Sequence, residues 1–260
     1  MNVLFLGDIY GKPGRNAVKK MLSHIHKEYD IAFTIANAEN AASGRGLTAD
    51  TMHELLDAGI DVLTMGNHVW DNKGIFNIIE EARIVRPANY PGECPGQGYH
   101  IYTAGFSKKI AVINLSGRVF MPALDCPFAV VDEIINDIQA AVDYIIVDFH
   151  AEATSEKLAL GYYLDGRTTA VLGTHTHIQT ADERIFPGGT AYITDAGMTG
   201  PYDSILGVDK ELVLRKFLTQ RPVRFEVARS PAQLQGVVLD LDEAGKKANS
   251  ITRINILVPD

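Results

Sequence analysis

The chain has 260 residues, of which 46% are hydrophobic, 22% charged and 8% aromatic, and this composition excludes disordered, collagen-like and low-complexity proteins. Its 24 basic and 32 acidic residues leave a formal net charge of −8, so a protein-wide basic field for gripping nucleic acid is absent. No apolar run approaches the ~20 residues of a membrane span, and the first residues lack the basic segment of a signal peptide. Cys94 and Cys126 are too few for a disulfide or thiolate-metal framework. We therefore expect a single domain, 1–260, in the cytoplasm.

Short apolar runs alternate with helical patterns in the first third of the chain. The runs at 3–7, 30–36 and 61–65 predict buried strands. The helices between and after them are expected to begin at Pro13, to be capped by Thr48, and to cover residues around 75–82. This strand–helix order predicts an α/β fold with strands buried between helical layers.

A Pro- and Gly-rich segment at 86–98 interrupts the alternation and cannot continue a helix. Strands and helices are predicted again beyond it. The expected elements are a hairpin of 99–104 and 109–115, strands at 144–149, 170–173, 191–194, 223–228, 234–240 and 251–257, and helices near 128–141, 154–164 and 209–219.

Polar side chains follow five successive predicted strands, at the point where each strand ends. They are Asp8, then Glu39 and Asn40, Asn67 and His68, His150, and finally His175 and His177. Ligands of α/β sheets bind beyond the carboxyl ends of the strands, and oxygen and imidazole donors without a thiolate suit Mn, Fe or Zn. Taken alone, Asp8 is better explained as a loop start and Asn67-His68 as a turn, and His175 and His177 are explained equally well as a pair of surface residues. Their recurrence at five strand ends predicts a metal site.

The same motifs resemble those of the calcineurin-like metallophosphoesterases. The matching segments are GD at 7–8, Glu39-Asn40, GNH at 66–68, the single His150 and GTHTH at 173–177.

Three departures from the superfamily motifs indicate one branch of that superfamily. Tyr10 stands where the superfamily has a histidine ligand, Glu39 replaces the usual bridging aspartate, and Thr174 is inserted in the last motif. With the segments LFLGDIYGKPGR, NAENAASGRGLT, MGNHVWD and TDAGMTGPYDS, these departures resemble the bacterial YmdB-like branch, over essentially the whole chain. The resemblance implies a four-layer α-β-β-α sandwich of two mixed sheets flanked by helices. It also implies a phosphodiesterase that hydrolyses 2',3'-cyclic AMP and GMP with two metal ions, with iron first and Mn or Zn as alternatives.

The resemblance further implies a ligand map. One metal would take Asp8 and His177, the other would take Asn67, His150 and His175, and Glu39 would bridge them. Asn40 is the candidate to replace the histidine missing at position 10. A phenolate from Tyr10 is the competing candidate.

His68, next to a metal ligand, is the predicted general acid for a reaction in which a hydroxide bridging the metals attacks phosphorus. Asp71 either orients His68 or, as we favour here, caps the helix expected at 72–82. The alternatives are a broad phosphomonoesterase or nucleotidase and a nucleotide-responsive regulatory protein with slow turnover. We expect a small phosphate diester as partner, neither a stable nucleic-acid complex nor a membrane, and leave a homo-oligomer open.

Overall fold

A computed structural model describes residues 1–259, the side chain of Phe106 excluded. The strands of this part of the chain are β1 (Asn2–Leu6), β2 (Asp8–Ile9), β3 (Ile31–Asn37), β4 (Val62–Thr64), β5 (Ile84–Val85), β6 (Tyr99–Ala104), β7 (Lys108–Ser116), β8 (Tyr144–His150), β9 (Ala170–Thr174), β10 (Arg184–Ile185), β11 (Ala191–Ile193), β12 (Met198–Pro201), β13 (Ala232–Leu241) and β14 (Ala248–Val258). Its α-helices are α1 (Gly11–Tyr29), α2 (Ala49–Asp57), α3 (Pro127–Ile138), α4 (Thr154–Tyr163) and α5 (Lys210–Thr219).

The first sheet has the order β2-β12-β13-β1-β3-β4-β5, with β14 also paired to β13. β1, β3, β4 and β5 run parallel, whereas β13 is antiparallel to β1, β12 and β14. The chain therefore returns near its end to place β13 in the interior of this sheet. Gly236 of β13 lies directly against β1, and a larger residue would not fit there, since a Cβ would fall 2.3 Å from the carbonyl oxygen of Phe5.

The second sheet has the order β10-β11-β9-β8-β7-β6. β7, β8, β9 and β11 are parallel, and the antiparallel strands β6 and β10 close the two edges. The register places His150 at the end of β8 between Ser116 of β7 and Thr174 of β9.

Three apolar layers hold the two sheets and their helices together. Val18 and Leu22 of α1 pack on the outer face of the first sheet. Phe5 and its neighbours meet Ile146 and Leu172 between the sheets. α3 and α4 cover the outer face of the second sheet, where Leu160 is buried. The predicted four-layer α-β-β-α sandwich is confirmed.

The structure differs from the sequence-based elements in one helix, in one expected strand, and in four short strands that the sequence did not predict, β2, β5, β10 and β12. Residues expected as a helix at 75–82 form only a short 3₁₀ helix, Lys73–Asn77. The expected strand at 223–228 is absent from the described structure, where Val227 makes a single bridge to Val208, because charged and largely exposed residues leave it without a sheet edge to join. β12 was not predicted, since its Gly and Pro residues are typical of loops.

Among the helices that the structure describes, none has both the length and the apolar character needed to cross a membrane.

Candidate metal centre

The polar residues predicted from the sequence converge where the carboxyl ends of the parallel strands of the two sheets meet. The first sheet brings in Asp8, which begins β2, and the residues that follow β3 and β4. The second sheet brings in the last residue of β8 and the turn after β9. The side chains gathered there are Asp8, Glu39, Asn40, Asn67, His68, His150, His175 and His177.

Three donor groups surround one ring nitrogen in the first half of the site. His150 Nε2 lies 3.0 Å from Glu39 Oε1, 3.0 Å from Asn67 Oδ1 and 3.0 Å from His175 Nδ1. Donor atoms of Glu39, His150 and His175 all lie within 4.8 Å of one another. A single ring nitrogen cannot satisfy three such neighbours with one hydrogen, whereas a cation can be bound by all of them. These residues therefore fit a metal ion.

The second half of the site is built around His177. Its Nε2 lies 3.2 Å from Asn40 Oδ1 and 3.7 Å from Asp8 Oδ1. Asp8 is fully buried, and within residues 1–259 its Oδ1 has no hydrogen-bond partner. A buried acceptor without a donor costs free energy, so this carboxylate also fits a bound cation.

Tyr10 approaches the site in a different way from Asn40. Its ring meets the His177 ring edge-on, with centroids 5.5 Å apart. Its hydroxyl lies over Gly44, where a Cβ would fall 2.9 Å from that oxygen. Burial raises the pKa of Tyr10, which opposes the phenolate form. The contacts thus favour Asn40 over Tyr10 as the oxygen beside His177.

Charge in the centre is concentrated on the contact between Glu39 and His150. Burial acts against the charge of Glu39, but the facing His150 and the backbone N–H of His68 outweigh it and lower the pKa of Glu39 to about 2. The same contact overcomes the burial of His150 and raises its pKa to about 9. Burial and the neighbouring His150 charge lower the pKa of His175 to about 3. The site is therefore arranged to hold positive charge beside an ionised Glu39.

A buried hydrogen-bond chain orients His150. Its Nδ1 lies 2.9 Å from Thr174 Oγ1, which in turn donates to Asp148 Oδ1 at 2.7 Å. Asp148 also accepts from the hydroxyl of Thr64, and burial raises its pKa to about 6. Because this chain engages Nδ1, Nε2 is left to face the donor cluster, as is typical of metal-binding histidines. The inserted Thr174 thus has a structural role.

A second buried network holds the turn that carries His175 and His177. Lys157 Nζ donates to the Thr174 carbonyl at 2.7 Å and to Asp195 Oδ2 at 2.8 Å. His175 and His177 have φ angles of 101° and 64°, in the left-handed region that costs free energy for residues other than glycine. The network is therefore well placed to hold this turn in its strained conformation.

The sequence-based reasoning missed four supporting charged residues, Asp148, Lys157, Asp195 and Glu152. Lys157 and Asp195 are charged residues at buried positions, a signal that becomes visible only once α4 is known to face the sheet. Glu152 lies two residues beyond β8 and places Oε2 3.2 Å from His175 Nε2. Its position just after a strand end was the available signal.

His68 lies at the edge of a cavity of about 610 Å³ that the cluster opens into. Its backbone N–H donates to Glu39 Oε2 at 2.8 Å, and its Nδ1 lies 2.8 Å from Asp71 Oδ2. Asn72, not Asp71, caps the following 3₁₀ helix through a bond from Gly74 N–H. The expectation favoured for Asp71 was therefore wrong, because Asp71 instead orients the His68 ring.

Comparison with known proteins gives consistent results. A family model described as "YmdB-like protein" matches residues 4–254. A Bacillus subtilis (strain 168) protein named "2',3'-cyclic-nucleotide 2'-phosphodiesterase" is 54% identical over 257 residues, covering 98% of this chain and 97% of that protein.

Two solved structures share the whole architecture. A hypothetical protein from Thermus thermophilus superimposes with a TM-score of 0.94 at 43% identity, and the match covers 100% of both chains. A structure described as a novel phosphatase from Mycoplasma pneumoniae has a TM-score of 0.93 at 39% identity, covering 100% of this chain and 94% of that one.

The buried Lys157–Asp195 pair generates a prediction about stability. Lys157→Met leaves Asp195 as an uncompensated buried charge, so we expect a loss of about 3–5 kcal/mol in the free energy of unfolding. Urea unfolding of the metal-free protein measures it. Lys27→Met removes an exposed lysine of α1 and serves as the matched control, with an expected change below about 0.5 kcal/mol. Equal stability of the two variants would contradict the anchoring role of Lys157.

Proposed function

The chain belongs to the YmdB-like protein family, and on that premise we propose that it is a metal-dependent phosphodiesterase acting on 2',3'-cyclic nucleotides. One observation carries the proposal beyond family membership. Two groups of oxygen and imidazole donors meet at a buried interface between the sheets, and the buried Oδ1 of Asp8 has no partner among the described residues. Such a site suits two cations, which would attract a phosphate diester into a protein of net charge −8.

We assign the ligands in two sets that share one carboxylate. Asp8, Asn40 and His177 would hold one ion, Asn67, His150 and His175 the other, and Glu39 would contact both. Oxygen and nitrogen donors of this kind suit iron, with manganese or zinc as alternatives. When bound, the pair would supply Lewis-acid stabilisation of the phosphate charge and a lowered pKa for water at the site.

His68 is assigned the role of proton donor. In the hydrolysis, water adds to phosphorus, one bond from phosphorus to a ribose oxygen breaks, and that oxygen must receive a proton. Asp71 engages Nδ1 of His68, so Nε2 is the nitrogen free to deliver it. The hydrogen bond from the backbone N–H of His68 to Glu39 fixes the position of His68 relative to the ligand cluster.

Part of the cavity lining is apolar and suits a nucleoside. It includes Leu206, Val208, Val223 and Phe225, and Glu226 lies in the same segment. Phe225 is 46% exposed although it carries a large aromatic ring, which makes a face available to a flat ligand. Stacking of a base on an aromatic side chain is worth ~1–3 kcal/mol. We therefore assign Phe225 to contact the nucleobase.

The first experiment combines metal content with substrate choice. We expect close to two metal equivalents by elemental analysis of the purified protein, and faster hydrolysis of 2',3'-cyclic AMP than of p-nitrophenyl phosphate. Glu39→Gln, which removes the shared carboxylate charge, should lower metal content and reduce turnover by at least ~100-fold. Metal without diester turnover would favour the regulatory alternative, and faster monoester hydrolysis would favour the phosphomonoesterase.

The acid role of His68 is tested by separating turnover from metal binding. His68→Ala should lower kcat on 2',3'-cyclic AMP by ~10²–10⁴-fold, the usual contribution of a general acid, with metal content unchanged. His53→Ala, an exposed histidine on α2, is the matched control and should keep wild-type kcat. Wild-type kcat in the His68 variant would remove the assignment.

The nucleobase contact predicts an effect that depends on the substrate. Phe225→Ala should raise KM for 2',3'-cyclic AMP about 5- to 100-fold, as expected from the loss of stacking. It should leave KM for glycerol 1,2-cyclic phosphate, a base-free cyclic diester, within about twofold. Phe217→Ala removes an exposed phenylalanine of α5 outside the cavity and is the control. A similar rise for both substrates would show that Phe225 shapes the cavity without contacting the base.

A further inference from the structure

A second cavity of about 560 Å³ adjoins the candidate metal centre. It lies between α1, the segment 227–232 and the end of β14. Ser43 and Val227 line both this cavity and the one that holds the donor cluster. The two cavities are therefore neighbours that adjoin at these two side chains.

The second cavity is basic in a chain that is acidic overall. Lys12, Lys20 and Arg229 line it, and within residues 1–259 its lining includes no aspartate or glutamate. Lys12, Asn16 and Lys20 are spaced four residues apart and thus share one face of α1. The cavity therefore presents positive charge that the net charge of −8 does not predict.

Two of the three cations are available to a ligand. Lys20 Nζ donates to the carbonyl oxygen of Pro259 at 2.5 Å. In the described part of the chain, neither Lys12 nor Arg229 forms an ion pair. Apolar atoms of Ala17, Ala228 and other residues form the rest of the lining. Such a mixture of cations and apolar surface suits a phosphate flanked by sugars and bases.

We propose that the preferred substrate is the 2',3'-cyclic phosphate end of a short oligoribonucleotide, which places its terminal nucleotide at the metal centre and a preceding phosphodiester against Lys12 and Arg229. The proposal rests on the proposed function. A free 2',3'-cyclic nucleotide has one phosphate, which the metal centre takes, and so has nothing to offer the second cavity. An oligonucleotide carries one further phosphate for each preceding residue.

The chemistry of such ends determines which reaction must supply them. A 2'-hydroxyl of RNA attacks the adjacent phosphate, the 5'-oxygen of the next residue leaves with a proton, and a 2',3'-cyclic phosphate remains. The enzyme would then add water across one of the two ring P–O bonds to give a phosphate monoester and a free hydroxyl. RNA cleavage by internal transesterification is thus the class of reaction that would produce this substrate.

The test compares two substrates on three proteins. For wild type, we expect kcat/KM for a trinucleotide ending in a 2',3'-cyclic phosphate to exceed that for 2',3'-cyclic AMP by about tenfold or more at low salt. In Lys12→Glu/Arg229→Glu, this ratio should fall towards one. Lys27→Glu/Arg221→Glu makes the same change of net charge at exposed residues outside the cavity and should keep the wild-type ratio. The ratio in wild type should also fall as salt rises, because phosphate contacts are screened.

Three results would overturn the proposal. They are a wild-type ratio near one, an unchanged ratio in Lys12→Glu/Arg229→Glu, and an equal loss in the control variant, which would indicate a general effect of charge. In each of these cases 2',3'-cyclic AMP is still hydrolysed, so the proposed function stands. A wild-type protein with two metal equivalents that hydrolyses neither substrate would instead overturn the proposed function and this inference with it.

Discussion

The site depends on one contact, between Glu39 of the first sheet and His150 of the second. Both side chains are almost completely buried, and their Oε1 and Nε2 atoms lie 3.0 Å apart. An ionised carboxylate taken out of water needs a compensating positive charge. Since His150, the side chain that faces Glu39, comes from the opposite sheet, the two sheets must meet at this edge in one fixed arrangement. Gly66 permits the approach, because a Cβ there would fall 2.4 Å from His150 Nε2 and 2.5 Å from Glu39 Oε2.

Two other buried carboxylates, Asp148 and Asp195, support this contact through hydrogen bonds. Asp148 acts on His150 through the hydroxyl of Thr174, and Asp195 with Lys157 secures the turn of His175 and His177. Apolar replacements would stabilise a core as well as such pairs do. Polar partners, however, fix the direction of each donor atom, which packing alone does not. The strained backbone of His175 and His177 shows that the position of these side chains is kept although the local backbone conformation costs free energy.

The convergence of the donor residues was predictable because two general rules act together. Buried strands are recognisable as apolar runs, and the carboxyl ends of parallel strands share an edge, so Asp8, Glu39 and His150 could be brought together without coordinates. The supporting network could not, because the partner of Lys157 is fixed by how α4 packs on the sheet. The place of Phe225 in the cavity was also missed, since the pattern of residues 223–228 is typical of a strand, whereas in the described structure they make only a single bridge to Val208.

The position of β13 has a consequence for how the protein is made. This strand pairs with both β1 and β14, yet it is formed by residues 232–241, long after β1 has been synthesised. While the ribosome is still producing the middle of the chain, β1 has an unsatisfied edge that is open to wrong partners. The first sheet, and with it the placement of Asp8, can be completed only when residues 232–241 have emerged. Nascent chains of this protein are therefore expected to need protection from aggregation until residues 232–241 have been synthesised.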